Sequence, residues 1–275
     1  MDLTKVHQAN LEILKAIDQI CRREGIQYLL DAGTLLGAVR HKGFIPWDDD
    51  ADVAFTRENY TRFIRAARKH LPDGMTLLEP GDLRGGRAFF DFTARILYDR
   101  SSTHEDSAEM DFYEGKLNHL WVDLFILDEL PENPVSAGFT KFLHKAIYGL
   151  AMGHRFRLDF AKYAFPEKAM VAGLSTVGRL LPMKFIRRMQ FCAAVKDRKG
   201  KSSLCYYSNY QPDYLYVTLK KDWCSQTVDM EFEGEMLMAP AGWHEILTLV
   251  YGDYMALPPE EKRIPSHSDT EIRIW

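Results

Sequence analysis

The sequence predicts an α/β (α+β) fold: a mixed central sheet flanked by helices, with a mainly helical, basic insertion. Three observations predict it. Apolar residues recur at three- and four-residue steps in some segments and in short alternating runs in others, the two periods of helix and strand. The run Leu120-Trp-Val-Asp-Leu-Phe-Ile-Leu127 is nearly all apolar, as a strand buried on both faces must be. The stretch from Phe139 to Lys201 holds 14 Lys and Arg against 3 Asp and Glu in helix-compatible sequence.

Taken in order, Asp2 to Glu24 reads as a helix, with Leu3, Val6, Leu14, Ile17 and Cys21 at helical spacing and Gly25 as its stop. Ile26 to Leu30 reads as a short strand. Gly33 opens a short helix through Leu35, Leu36 and Val39, and Pro46 ends that region. Asp50 to Phe55 alternates polar and apolar, the pattern of a half-buried strand. Glu58 to His70 is an amphipathic helix stopped by the turn Pro72-Asp73-Gly74. Met75 to Leu78, Ala88 to Tyr98 and Leu120 to Leu127 are further strands. Phe139 to Lys201 is mainly helical, with breaks near Pro166 and Pro182. Lys201 to Leu219 is rich in tyrosine, Phe232 to Met238 reads as a strand and Trp243 to Val250 as a helix.

The composition narrows the class. With 275 residues, 46% hydrophobic and 27% charged, the chain can bury a core without disulfide or metal staples. Its four cysteines form no CxxC pair, which disfavours a zinc knuckle or redox motif and fits reduced thiols in a cytoplasm. The first 25 residues mix apolar and charged side chains unlike a signal peptide, and no apolar run of about 18 residues suits a membrane span. Net charge is only -4, yet residues 139–201 carry +11 and the remainder -15. Such asymmetry points to an anionic partner.

The chemistry concentrates between Asp31 and Phe55. On a strand from Asp50, the carboxylates of Asp50 and Asp52 share one face, while Ala51, Val53 and Phe55 share the other. Like charges that close repel unless a cation sits between them or water surrounds them. Oxygen ligands on a rigid strand suit Mg²⁺ or Mn²⁺. Asp48 and Asp50 have the same spacing but are the weaker metal pair, because Asp49 between them is no apolar anchor. Asp123, alone in an apolar strand, is either bonded to backbone amides or an arginine, or is the third carboxylate of the site. Gly33 and Thr34 precede a helix whose free N–H groups suit phosphate. Arg40, His41 and Lys42 supply positive charge or are simply a solvated basic loop. No GxSxG elbow or HExxH is present, and Gly81 to Arg87 lacks the Gly-Lys-Ser/Thr end of a phosphate loop.

The run Gly33-Thr-Leu-Leu-Gly-Ala-Val-Arg-His-Lys-Gly-Phe-Ile-Pro-Trp-Asp-Asp-Asp-Ala-Asp-Val53 resembles the signature of the LicD family, bacterial phosphocholine transferases related to the fukutin-type transferases. The resemblance extends to Val122 to Asp128, Phe232 to Met236, Ala239 to His244 and Tyr251 to Pro259. It implies a nucleotidyltransferase fold in which a Gly-Thr turn precedes the Asp-x-Asp strand. Asp50, Asp52 and Asp123 match the family carboxylates, implying metal ligation and catalysis by these three. Implied too is transfer of phosphocholine from CDP-choline to a sugar hydroxyl of a cell-surface glycan, such as teichoic acid or lipopolysaccharide, or its lipid-linked precursor, with release of CMP. Another CDP-alcohol, such as CDP-ribitol, is an alternative donor. A true nucleotidyltransferase releasing pyrophosphate is a rival within the fold, and an inactive glycan-binding protein a rival outside it. No nucleic-acid partner is implied.

The expected organisation is a nucleotidyltransferase-like catalytic core over 1–138, a basic helical insertion over 139–201 and a C-terminal part, 202–275, completing the core. The expected reaction is in-line displacement at phosphorus, with Asp123 the candidate general base. A quaternary ammonium needs aromatic faces, so one or two of Tyr206, Tyr207, Tyr210, Tyr214, Tyr216 and Trp223, or Trp47 beside the carboxylates, are expected to line the donor pocket. The basic segment 139–201 is either a peripheral contact for an anionic membrane or a subdomain packed on the core.

Overall fold

The computed structural model describes residues 3–103, 107–165, 167–196, 200, 202–265 and 272–275. In chain order the elements are α1 (Leu3–Glu24), β1 (Leu29–Leu30), α2 (Ala32–His41), β2 (Ala51–Thr56), α3 (Arg57–His70), β3 (Met75–Leu78), β4 (Ala94–Tyr98), β5 (Ser101–Ser102), α4 (Ala108–Phe112) and β6 (Leu120–Leu130). There follow α5 (Pro134–Ala151), α6 (Glu167–Gly178), α7 (Met183–Val195), β7 (Leu204–Tyr207), β8 (Leu219–Lys220), α8 (Lys221–Cys224), β9 (Thr227–Phe232), β10 (Glu235–Pro240), α9 (Trp243–Tyr251) and β11 (Arg273–Ile274).

The expected α/β architecture with a mixed sheet is what the chain adopts. The main sheet runs β1-β2-β6-β4-β3, with β7 and β8 attached through β6. Only the β2–β6 pair is parallel among these ladders; the others are antiparallel. β6 is the axis of the sheet. Its first half pairs with β4 and its last residues with β7. Where one partner gives way to the other, the buried Asn209 side chain accepts from Ile126 N–H (2.7 Å) and donates to Leu124 C=O (3.0 Å). That amide does the work of a missing strand residue, since a buried backbone group must be paired.

One face of the sheet is apolar. Ala51, Val53 and Phe55 of β2, Val122 and Leu124 of β6 and Ala94 and Ile96 of β4 join Val6, Ile13, Leu14 and Ile17 of α1 and Phe63 and Ala67 of α3 in the main core. At the far end of β2, buried Arg57 pairs with Asp128 and donates to Ser208 Oγ (3.2 Å), tying α3 to β6. The helices α5, α6 and α7 form their own core with Phe89, Phe92, Ile147, Met152, Val171, Met183 and Ile186. Pro182 caps α7 at the expected break; Pro166, and Lys201 at the end of the basic segment, lie outside the described residues.

Three elements depart from the sequence pattern. Ile26 to Leu30 contributes only Leu29 and Leu30 to the sheet. Ala88 to Tyr98 is strand only from Ala94, because Phe89 and Phe92 turn away to the helical core. Phe232 to Met238 is not one strand: Glu233 (φ 50°) and Gly234 (φ 79°) form the tight turn of a β9–β10 hairpin. Both turn residues have positive φ, as a type I′ turn requires, and Glu-Gly is a weaker sequence signal for it than Asn-Gly.

Candidate active site

The sheet register builds the site. Asp52 lies opposite Asp123 across β2–β6, and Asp123 opposite Arg95 across β6–β4. Asp31 extends the same row, its N–H donating to Asp52 C=O (3.1 Å). Because side chains alternate along each strand, Asp31, Asp52, Asp123 and Arg95 stand together on the face opposite the apolar core. Thr34 Oγ1 accepts the Asp52 backbone N–H (2.8 Å), pinning β2 to the first turn of α2.

Asp123 has an arginine partner and also stands opposite Asp52. Arg95 Nε lies 2.9 Å from its Oδ1, and Trp121 Nε1 donates to its Oδ2 (3.2 Å). Arg95 is itself shared with buried Asp91 and lies over Trp121 and Phe90. Arg95 therefore brings the carboxylate row a positive charge already divided between Asp123 and Asp91.

The loop before β2 brings further carboxylates. His7 Nε2 bonds Asp48 C=O (2.7 Å) and Asn10 donates to Asp49 C=O (3.3 Å), so α1 fixes this loop. Carboxylate oxygens of Asp48, Asp49 and Asp50 come within 4.8 Å of one another. A Cβ on Gly33 would stand 2.5 Å from Asp48 Oδ2, so glycine is what lets that carboxylate reach the start of α2. Asp48, judged the weaker ligand from its neighbour Asp49, thus sits beside Asp50. The apolar-anchor argument holds only inside a strand, and β2 begins at Ala51.

The electrostatics show how much negative charge is packed here. Burial, then the charges of Asp50, Asp123, Asp31 and Asp48, holds the Asp52 carboxyl well above the carboxylate range. Asp48 is pushed up to about 8 by burial, then by the charge of Asp50 and a hydrogen bond with it. Burial lifts Asp31 to about 6 although Tyr207 donates to it (2.6 Å). Burial also lifts Asp123 to about 6, with Arg95 opposing. Clustered hard oxygen donors suit Mg²⁺ or Mn²⁺, and among the described residues these carboxylates outnumber the one arginine paired with them, so they fit such an ion.

The remaining predicted residues divide. Trp47 adjoins Asp48, with Arg40 over its ring (5.9 Å to the centroid) and His41 edge-on to it. Lys42 does not join them: it caps the far end of α2 in a left-handed conformation (φ 55°), and its ammonium pairs with Glu231 (2.8 Å) on the hairpin. Among the tyrosines, Tyr210 and Tyr214 pack with tilted rings (4.1 Å) and feel the charge of Asp52, with Tyr210 also stacked on Phe125 (4.3 Å). Tyr206 faces His144 instead, Tyr216 is largely exposed and Trp223 packs under Gly242. Sequence reasoning missed Tyr251, which feels the charges of Asp31, Asp52 and Asp48, and Arg95 and Asn209. Nothing local marks Arg95 or Asn209, which strand register and chain return bring in; Tyr251 opens the run Tyr251 to Pro259 that carries the family resemblance, but the sequence gives it no role.

Comparison with known proteins agrees with this geometry. Residues 25–146 match the family described as LicD/FKTN/FKRP, nucleotidyltransferase domain. The chain is 32% identical to the lipopolysaccharide cholinephosphotransferase LicD of Haemophilus influenzae over 271 residues, 94% of this chain and 92% of that protein. It is 29% identical over 140 residues to human ribitol 5-phosphate transferase FKRP, 49% of this chain but 23% of FKRP. With a relative matched along nearly its whole length and the family's nucleotidyltransferase domain spanning the carboxylate row, the chain belongs to the LicD family of transferases.

Proposed function

We propose that this chain transfers phosphocholine from CDP-choline to a sugar hydroxyl of a cell-surface glycan of the lipopolysaccharide kind, or its lipid-linked precursor, releasing CMP. The observation that carries it is the row Asp31–Asp52–Asp123, joined by Asp48 and Asp50, an acidic site with too little positive charge of its own. Asp50, Asp52 and Asp123 would hold Mg²⁺ or Mn²⁺, with Asp48 a further oxygen donor. The bound ion supplies charge neutralisation at the donor diphosphate. The protein's own residues do the rest. Thr34 keeps Asp52 in register. Arg95 and Trp121 fix the Asp123 carboxyl, the candidate acceptor for the sugar hydroxyl's proton.

Tyr210, Tyr214 and Tyr251 gather beside the carboxylates, and aromatic faces with nearby anions are what a quaternary ammonium requires. This favours choline over ribitol, which needs hydrogen-bonding partners, although similarity to a ribitol 5-phosphate transferase keeps the second donor in view. A panel of CDP-choline, CDP-ribitol and nucleoside triphosphates with Mg²⁺ separates the readings. CMP from CDP-choline supports phosphocholine transfer, CMP from CDP-ribitol alone selects the second donor, and pyrophosphate from a triphosphate overturns both.

We place the working position at the cytoplasmic face of an anionic membrane. No single helix among the described residues is long and apolar enough to cross one; α6 and α7 pass that test only together, bent by 119°. Exposed apolar side chains cluster on the helical layer, with Phe165 85%, Leu180 83% and Val135 81% exposed. On α6 the exposed residues Ala169, Met170, Gly173, Thr176 and Val177 carry no charge, with the exposed Glu167 and Lys168 at one end and Arg179 at the other. Apolar residues bordered by basic ones suit an interfacial contact.

A further inference from the structure

Two arginines from distant parts of the chain converge on Trp47. Arg40, in the last turn of α2, and Arg263, beyond α9, place their guanidinium carbons 5.9 and 5.5 Å from the centroid of that ring. One cation on an indole is a common attraction; two on the same indole also repel each other. Both are nonetheless held in place. Arg40 Nε donates to His41 Nε2 (2.9 Å) and its Nη1 to Tyr254 C=O (3.3 Å), while Arg263 Nε donates to Pro258 C=O (2.8 Å). These acceptors are neutral. Among the described residues no carboxylate pairs with either arginine, although most other arginines of the core elements have one.

The arrangement is half-buried and adjoins the carboxylates. Trp47 is followed directly by Asp48. The Tyr251 hydroxyl is in electrostatic range of Arg40 on one side and of Asp31, Asp52 and Asp48 on the other. Burial, and after it the charge of Arg263, pulls Arg40 below the ordinary guanidinium range. An anion between the forks would relieve both the desolvation and the repulsion. Guanidinium forks match phosphate oxygens in pairs, and the remaining N–H groups of both side chains are uncommitted to other described residues.

We propose that Arg40 and Arg263, spaced by Trp47, form a clasp for a phosphate oxyanion beside the carboxylate centre, with Arg263 a binding residue contributed by the C-terminal segment. The clasp rests on the phosphocholine-transfer reading for its purpose. Two sources of that oxyanion share the chemistry: the donor's diphosphate, and a phosphate carried by the acceptor glycan.

Arg263→Gln removes the charge at the cost of one backbone hydrogen bond, and Arg263→Lys keeps charge without the fork. Calorimetric binding of inorganic pyrophosphate in the absence of metal should weaken about 10- to 100-fold in Arg263→Gln, the range set by losing charge-assisted hydrogen bonds, and recover in part in Arg263→Lys. If the donor supplies the oxyanion, KM for CDP-choline rises to a similar extent and KM for the acceptor does not. A rise in acceptor KM alone, abolished when the acceptor is dephosphorylated, assigns the clasp to the acceptor. A folded Arg263→Gln protein that binds pyrophosphate as wild type does, with both KM values unchanged, overturns it. Should wild type release no CMP, the transfer reading fails, and the pyrophosphate comparison still decides the clasp.

Discussion

Asp52 is a buried carboxylate that feels the negative charge of Asp50, Asp123, Asp31 and Asp48. It faces Asp123 across the ladder and Asp31 on its other side, while Arg95 pairs with Asp123 and Asp91. Directly opposed like charges destabilise a sheet. Asp52→Asn should therefore leave the metal-free protein as stable as wild type or more so by thermal melting, while CMP release falls at least about a thousand-fold, because an amide is a poor ligand for a hard cation. A lowered melting temperature with activity retained would assign Asp52 to the scaffold. Asp123→Asn behaves differently because it breaks an ion pair with a buried arginine; both melting temperature and turnover should fall. Loss of stability alone would leave Asp123 as the arginine's structural partner. A long motif singles out Asp50 and Asp52 in the sequence, and Asp123 is singled out by the apolar strand around it; the register that sets Asp52 beside Asp123 comes only with the fold. The position of Asp48 depends on a loop held by His7 and Asn10, which no periodicity reveals.

At the scale of elements, long periodic segments were readable and joints were not. α1, α3, β3 and α9 fall within a residue or so of the pattern, since their caps and apolar spacing are local. The handover between β4 and β7 along β6 was invisible, because it depends on Asn209 returning from far along the chain. Asn209→Ala strands Ile126 N–H and Leu124 C=O and should cost roughly 2–4 kcal/mol in urea unfolding, from the price of leaving buried groups unpaired; a change within about 0.5 kcal/mol would mean water replaces the amide. The joint between α5 and β7 is also polar. His144 and Tyr206 share a 2.7 Å hydrogen bond, and burial drives His144 down to about 4 from 6.5. The unfolded chain then takes up the proton first as pH falls. The stability this imidazole supports is whole above 6.5 and lost as pH drops from 6.5 to about 4, an effect of roughly 3 kcal/mol. Denaturant unfolding across that window should show this slope, and His144→Gln should flatten it; an equal slope in both proteins would place the acid sensitivity elsewhere.

Over the whole molecule, charge is sorted by layer. The +11 of residues 139–201 belongs to the segment dominated by α5 to α7, and the -15 to the rest, which includes the carboxylate row. Composition made that division legible, and the apolar spacing made the helices legible. Which apolar residues would face outward was not, because a helix packed on a core and one lying on a lipid surface have the same period. Co-sedimentation with anionic vesicles at low salt, weakened at high salt and absent with neutral vesicles, is the expected outcome. Leu180→Glu should reduce binding while leaving CMP release in solution intact, and equal binding to neutral vesicles would remove the electrostatic part of the account. That layer matters only if the acidic row performs the transfer. The most direct measurement is CMP release from CDP-choline in the presence of a lipopolysaccharide acceptor, followed for wild type with Mg²⁺, wild type with EDTA, and Asp52→Asn with Mg²⁺. The account predicts CMP and acceptor-bound phosphocholine in equal amounts from the first and neither from the other two; equal turnover in all three would contradict it.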